Sequence, residues 1–182
     1  MNRSRATWRA AEAEDQEAAQ RLEAAFVRYQ DELLGMLCYL VGNREDAQDT
    51  FQETFVKCWR HRRSVPQLEN LKAWIFRIAL NSARDARTTA WRRRRRPLAG
   101  GEATLAVSDP GPEANAAHRE QLALIRRALG QLRPEEQEVF LLRQNGQLTY
   151  GEIAQAIKIP LGTVKTRMRL ALTKLREALE SS

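Results

Sequence analysis

The side chains with the clearest chemical use lie between residues 149 and 175. Thr149-Tyr150-Gly151-Glu152 has the Thr-x-x-Glu form of a capping box, which starts a short helix carrying Ile153, Ala154 and Ile157. Lys158-Ile159-Pro160 then makes a tight turn, and a longer basic helix follows from Leu161 to about Leu179. A short capped helix, a three-residue turn and a basic helix make up the helix-turn-helix pattern. Val164, Met168, Leu172, Leu175 and Leu179 are expected inside, so Gly162, Lys165, Thr166 and Arg169 share the outward face. Lysine and arginine can reach guanine O6 and N7, and threonine can meet a phosphate or a thymine methyl. Arg167 lies to one side and suits a phosphate. An ordinary helical hairpin with a solvated basic face is the alternative.

A second constellation spans residues 71–96. Leu71, Trp74, Ile75, Ile78 and Ala79 form an apolar stripe, while Lys72, Arg77, Asn81, Arg84 and Arg87 lie on or near one side. Arg92 to Arg96 extend the charge and suit a phosphate backbone. Asparagine is a mediocre helix former, and Asn81 sits mid-helix among apolar and basic neighbours. A base-edge contact accounts for it, and so does a plain exposed position. A third constellation lies on the helix expected from Arg44 to Arg60. Its apolar face is Ala47, Phe51, Phe55 and Cys58, and another face carries Asp46, Asp49, Glu53 and Val56 with Gln52 beside them. Such a surface can grip the arginines of a partner helix, or simply face solvent.

Catalytic chemistry finds no footing. The two histidines, His61 and His118, are far apart, and neither a glycine-rich phosphate loop nor a nucleophile elbow is present. Cys58-x-x-His61 has metal-ligand spacing, with Cys38 as a further candidate, but a zinc site needs three or four ligands. Cys58 also fits the apolar stripe, and a buried thiol is the reading adopted. No enzyme activity, metal or cofactor is expected.

The elements that must position these groups are helices. The chain has 182 residues, 29% of them charged, with only 9 glycines and 6 prolines. That suits one medium or two small helical domains rather than a sandwich or barrel. Two cysteines exclude a disulfide scaffold. The longest apolar run falls well short of a membrane span, and no apolar segment follows the arginines of residues 1–9. No secretory leader and a cytoplasmic setting are therefore expected. Leu22, Phe26, Tyr29, Leu33, Leu37 and Leu40 recur at helical steps, ended by Gly42-Asn43. Residues 62–70 read as a loop. Pro97, Gly100, Gly101, Pro110, Gly111 and Pro112 mark a flexible linker. After it come helices with Leu122, Ile125 and Leu129 on one face, then Pro134-Glu135-Glu136 opening another with Val139, Phe140 and Leu142. Charge follows the same division. Residues 10–55 hold 11 acidic and 3 basic side chains, whereas residues 57–96 hold 13 basic and 2 acidic. Residues 139–182 are basic again, with 7 basic and 3 acidic. Two basic blocks suggest two surfaces for a polyanion, and the acidic block a different partner.

Three strings go further. REDAQDTFQETFVKCWR (44–60), LKAWIFRIALNSARD (71–85) and LTYGEIAQAIKIPLGTVKTRMRLALTKLRE (148–177) resemble segments of the extracytoplasmic-function (ECF) sigma factors, within the sigma-70 family of bacterial RNA polymerase. The resemblance implies an all-α fold of two small helical domains joined by a flexible linker. An N-terminal extension (1–22) precedes a region 2-like domain (23–96), and a linker (97–119) leads to a region 4-like helix-turn-helix domain (120–182). It implies that Asp46, Asp49, Gln52 and Glu53 bind the core polymerase. Lys72, Arg77, Asn81 and Arg84 would contact the minus-ten element, with the loop of about 64–70 as the pocket for a flipped-out base. Thr163, Lys165, Thr166, Arg167 and Arg169 would contact the minus-thirty-five element. Leu170 stands where relatives often carry a basic residue, so that contact is not expected here. Core RNA polymerase and promoter DNA are the implied partners. Relatives are commonly held by an anti-sigma factor, a third partner to test. Two other function classes fit parts of the pattern. A stand-alone helix-turn-helix regulator would need a dimerisation or sensing domain, and an adaptor would not need the outward set of Lys165, Thr166 and Arg169.

Overall fold

A computed structural model of the chain describes residues 3–95 and 116–180, all the elements of which are helical. The expected linker lies outside the described residues except for its last four, which begin a helix. The first module holds α1 (Arg3–Arg28), α2 (Gln30–Val41), α3 (Arg44–Arg60), a 3₁₀ segment (Arg62–Gln67) and α4 (Leu71–Arg95). The second holds α5 (Ala116–Gly130), α6 (Pro134–Gln144), α7 (Tyr150–Ile157) and α8 (Leu161–Glu180).

Local chemistry explains the boundaries. Gly42 closes α2 with φ 95°, a left-handed cap that suits glycine. Asn43 then caps α3, its side-chain oxygen accepting from the Asp46 N–H at 2.8 Å. The repeat from Leu22 to Leu40 is divided at Tyr29, yet the Tyr29 N–H still reaches the Ala25 carbonyl and Leu33 N–H the Tyr29 carbonyl, both at 2.9 Å. The division is a kink in an almost continuous rod. Helix α1 reaches far back into the expected N-terminal extension. Ala18, Ala19, Leu22, Ala25 and Phe26 bury one stripe of it, and Asp15 pairs with Arg62 at 2.7 Å and Arg63 at 3.3 Å.

On α3 the buried stripe is Ala47, Thr50, Thr54 and Cys58, whereas Phe51 and Phe55 are half-buried. The two threonines can turn inward because their hydroxyls donate to the carbonyls four residues back, at 2.6 and 2.7 Å. The phenylalanines instead pack edge-on around Phe26, with centroids 5.5 and 5.0 Å from its ring.

In the second module α8 corrects the expected inside face. Leu172 and Leu179 are exposed, and the helix turns Val164, Met168 and Ala171 to the core. Ile125 likewise lies at the exposed margin of α5, where Ala128 and Leu129 are buried. Glu136 is almost wholly buried. It accepts from the Arg133 N–H at 2.9 Å and from Lys174 Nζ at 2.7 Å, tying the start of α6 to α8. Burial alone would push this carboxyl up, but those two partners outweigh it and hold its pKa below the ordinary value. Its contribution is therefore complete above the ordinary carboxylate range and is lost as the pH falls through the depressed folded value. Glu136→Ala is expected to cost about 1–3 kcal/mol of stability at neutral pH, because the Arg133 N–H and the half-buried Lys174 ammonium lose their shared acceptor. Urea melts at pH 7 and near pH 3 check this. The loss should shrink at the acidic pH, and an equal loss at both would mean that the ion pair is not its source.

The two modules are not held apart. Phe76, Ile75 and Leu80 of α4 share one apolar cluster with Leu33 and Met36 of α2 and with Val139, Leu142, Leu148 and Ile153 of the second module. Gly146 permits the closest approach. A Cβ there would stand 3.1 Å from Phe76 Cδ1 and 2.5 Å from its own module's Leu142 carbonyl oxygen.

Candidate functional site

The acidic face of α3 forms as its spacing predicts. Asp46, Asp49, Gln52 and Glu53 are all exposed. Three of them (Asp46, Asp49 and Glu53) line a concavity of about 270 Å³ between α3 and α4, with Asp85 and Arg87 on its far side. Lys57 holds Glu53 at 2.9 Å and Asp85 at 3.2 Å, bridging the two helices. Burial works against the Lys57 ammonium, but the hydrogen bonds to Glu53 and Asp85 prevail and raise its pKa. Asp46 has a local task as well, since its carboxylate accepts from Asn43 Nδ2 at 2.6 Å. An arginine or lysine presented by another protein would find several carboxylates there, with Lys57 and Arg87 as the competing cations.

Next to this face, Cys58 is fully buried and its thiol is pushed up to about 12 by burial, so it is an inert core group. His61 is exposed at the end of α3, where its Nδ1 lies 2.9 Å from the Lys57 carbonyl oxygen.

The α4 set is less uniform than its spacing suggests. The Lys72 ammonium lies over the Tyr29 and Phe76 rings, 4.7 and 5.7 Å from their centroids, and Arg77 is half-buried. Asn81 is exposed, and its Oδ1 accepts from Arg84 Nη1 at 3.2 Å. Arg84 turns its remaining nitrogens to Glu138 of α6, with Nε at 2.7 Å and Nη2 at 2.5 Å. That hydrogen bonding raises the Arg84 pKa above its ordinary value. The side chains of Arg92 to Arg96 lie outside the described residues. The loop that precedes α4 is in fact largely the 3₁₀ segment. It buries Val65 and leaves Pro66 and Gln67 exposed, and at its end Asn70 caps α4 by accepting from the Ala73 N–H at 2.8 Å.

On α8, Gly162, Lys165, Thr166 and Arg169 are exposed, while Thr163 and Arg167 are half-buried. Thr166 also donates back to the Gly162 carbonyl at 3.0 Å, which fixes its rotamer. The capping box ahead of this helix pair is present. The Thr149 N–H donates to Glu152 at 2.6 Å, and the Thr149 hydroxyl accepts from the Glu152 N–H at 3.2 Å. The Thr149 N–H and the Thr149 hydroxyl, which donates to the same carboxylate at 2.8 Å, hold the Glu152 carboxyl below the ordinary carboxylate range. Lys158 turns the chain between α7 and α8 at φ 55°.

Sequence reasoning missed three polar partners: Asp15, Glu138 and Asn70. Glu138 carried a signal, since it stands in helical register with Leu141, Leu142 and Asn145, on the side of α6 that is buried. A carboxylate on an apolar stripe calls for a cationic partner.

Two family models match the chain: Sigma-70 region 2 over residues 25–96, and Sigma-70, region 4 over residues 122–175. Among curated relatives, the RNA polymerase sigma factor NccH of Alcaligenes xylosoxydans xylosoxydans is 31% identical over 141 residues, 75% of this chain and 75% of that protein. The chain belongs to the sigma-70 family. Its ECF group is named in a further relative, the ECF RNA polymerase sigma factor EcfG of Rhodopseudomonas palustris, 30% identical over 143 residues, 77% of this chain and 75% of that protein. The fold is also that of a solved sigma factor, RpoE of Bartonella quintana in complex with the anti-sigma factor NepR. The TM-score is 0.65 at 22% identity, covering 88% of this chain and 98% of that one. The role of this sigma factor is in transcription initiation.

Proposed function

We propose that this sigma factor binds core RNA polymerase through the acidic face of α3 and directs it to promoters with two separated elements. The exposed, anion-lined side of α3 carries this reading, because a stand-alone regulator has no use for such a surface next to a basic helix. Lys165, Thr166 and Arg169 read the upstream element in the major groove, with Thr163 and Arg167 beside the backbone. Asn81 and its basic neighbours on α4 hold the opened minus-ten strand. The segment of about 64–70 receives a base displaced from the stack, which costs a few kcal/mol of unstacking. Contacts with core supply that energy, and the positive helix retains the single strand. A linker of about 20 residues reaches roughly 70 Å, enough for two modules to sit some two turns of duplex apart. An anti-sigma protein is a reasonable further partner, as one is for the Bartonella relative.

Run-off transcription with a heterologous bacterial core, followed by sequencing of the start sites, tests the proposal. Discrete starts behind a shared pair of motifs are expected. Random starts, or none, would contradict it. Within that assay Asn81→Ala is expected to reduce strand opening, read by permanganate footprinting, more than it reduces closed-complex formation. Equal losses in both steps would mean that Asn81 only positions the backbone.

A further inference from the structure

Helix α1 packs against the 3₁₀ segment of Arg62–Gln67, the part of the chain assigned above to a displaced base. Asp15 ties the two together. Its carboxylate accepts from Arg62 Nη2 at 2.7 Å and from Arg63 Nε at 3.3 Å, one oxygen for each arginine. Arg62 is also held by Trp59, whose ring centroid lies 4.9 Å from the guanidinium and whose carbonyl oxygen accepts from Nη1 at 3.2 Å. Its Nε is buried with no hydrogen-bond partner, so Asp15 and Trp59 place this guanidinium. The hydrogen bond from Arg62 outweighs burial and, with Arg63, holds the Asp15 carboxyl below its ordinary value.

Between α1 and this segment lies a cleft of about 810 Å³, lined by Trp8, Glu12 and Asp15 from the helix and by Arg63 and Pro66 from the segment. Trp8, Glu12 and Asp15 follow at steps of four and three and so share one face of α1. Trp8 is 64% exposed, so the largest apolar side chain of the helix takes no part in the core. Arg63 is open to solvent beyond its bond to Asp15. An aromatic face with carboxylates beside it and an arginine at the rim suits one kind of occupant. A nucleobase can stack on the indole. Its exocyclic amine can donate to a carboxylate, as cytosine N4 does. Its phosphate is repelled by the carboxylates of α1 and drawn to Arg63, so the base enters and the backbone stays outside.

We propose that α1 is the second wall of the base pocket. Trp8 stacks on the displaced base of the minus-ten element, and Glu12 favours a base with an exocyclic amine over thymine. Asp15 is a positioning residue that sets the Arg62–Gln67 segment against that base. The proposal rests on the reading of residues 64–70 as the pocket, and it gives the N-terminal extension a part in reading sequence.

Holoenzyme made from the full chain and a heterologous core tests it, on fork templates of a promoter located by start-site sequencing. The minus-ten non-template strand is left single-stranded, and each of its positions carries in turn the four bases or an abasic site. At the position most sensitive to base removal, wild type is expected to bind an amino-bearing base at least about tenfold more tightly than the abasic site, with thymine the weakest of the four bases. Trp8→Ala should lose at least about fivefold on templates that carry the base and far less on the abasic one, and Trp8→Phe should recover most of the loss. A merely structural role would weaken all templates alike. Asp15→Asn should flatten the ranking of the four bases, and Asp15→Glu should restore it. An unchanged ranking would remove the positioning role. Should Asp15→Asn melt early, Trp8→Ala still decides, because that side chain is exposed. Equal losses on base-bearing and abasic templates, or a preference for thymine, would overturn the proposal. So would a fall in core affinity with base discrimination intact, which would mark the cleft as a polymerase contact. A wild type that discriminates, beside a Trp8→Ala chain that discriminates equally well, sinks this proposal alone. A wild type indifferent to base removal at every minus-ten position removes the pocket reading, and this proposal with it.

Discussion

Replacing Lys165 or Arg169 by alanine is expected to weaken recognition of the upstream element by about 1–3 kcal/mol if the lost contact is to a base. That corresponds to roughly 5- to 150-fold in affinity. The two positions are one helical turn apart and would share neighbouring base pairs, so the double variant should not equal the sum of the singles. Both side chains are exposed, and neither contributes to the core of the second module, so thermal stability should stay within error of wild type. Binding of holoenzyme to duplexes with each upstream position varied gives the discrimination. A base contact appears as relaxed preference at one or two positions. A phosphate contact appears as uniform weakening and a salt slope reduced by about one. If neither variant changes binding to any duplex, the recognition helix sits in a different register from the one proposed.

Asp49→Arg should have the other large effect. Asp49 lies in a concavity whose remaining charges include Asp46, Glu53 and Asp85. A guanidinium placed there would cancel the local field and meet a basic partner with like charge, and such juxtaposition costs several kcal/mol at an interface. Loss of core affinity on the order of 100-fold is expected, with the melting curve preserved because the side chain points to solvent. Competition against a labelled sigma factor for limiting core measures it directly. Gln52→Ala should produce a smaller loss in the same assay. Wild-type affinity should also fall with added salt, since the contacts lie at the surface. Core affinity that survives Asp49→Arg would remove the role given to the acidic face.

Local signals were strong enough to read much of this fold before any coordinates. Gly42-Asn43 and the capping box at Thr149 are chemical punctuation, and the helices start where these residues place them. The acidic face of α3 and the outward set on α8 followed from helical spacing alone. Other features needed three dimensions. The stripe of α8 was drawn through Leu172 and Leu179 because leucine is the stronger apolar signal, yet the tight meeting of α5 and α8 selects the small Ala171 instead. Inward-facing threonines on α3 were hidden for a related reason. Their hydroxyls are satisfied within their own helix, which a polarity pattern does not reveal. The first half of helix α1 was overlooked because it offers alanine and charge rather than a repeat of large apolar groups. The seam between the modules was the least legible part. Arg84 and Glu138 are 54 positions apart, and Asn70 and Glu152 are 82 apart. No periodicity within one segment can announce a pairing across another. The one clue, a carboxylate in register with the apolar stripe of α6, says that a cation must come but not which one.

The central claim is that promoter recognition by this chain depends on polymerase. Binding of a labelled promoter fragment carrying both elements, titrated in parallel with the chain alone, with core alone and with the two combined, measures that dependence. The account predicts tight, sequence-specific binding only in the combined titration. Tight, sequence-specific binding by the chain alone, unchanged when core is added, would identify a self-sufficient regulator and contradict the account.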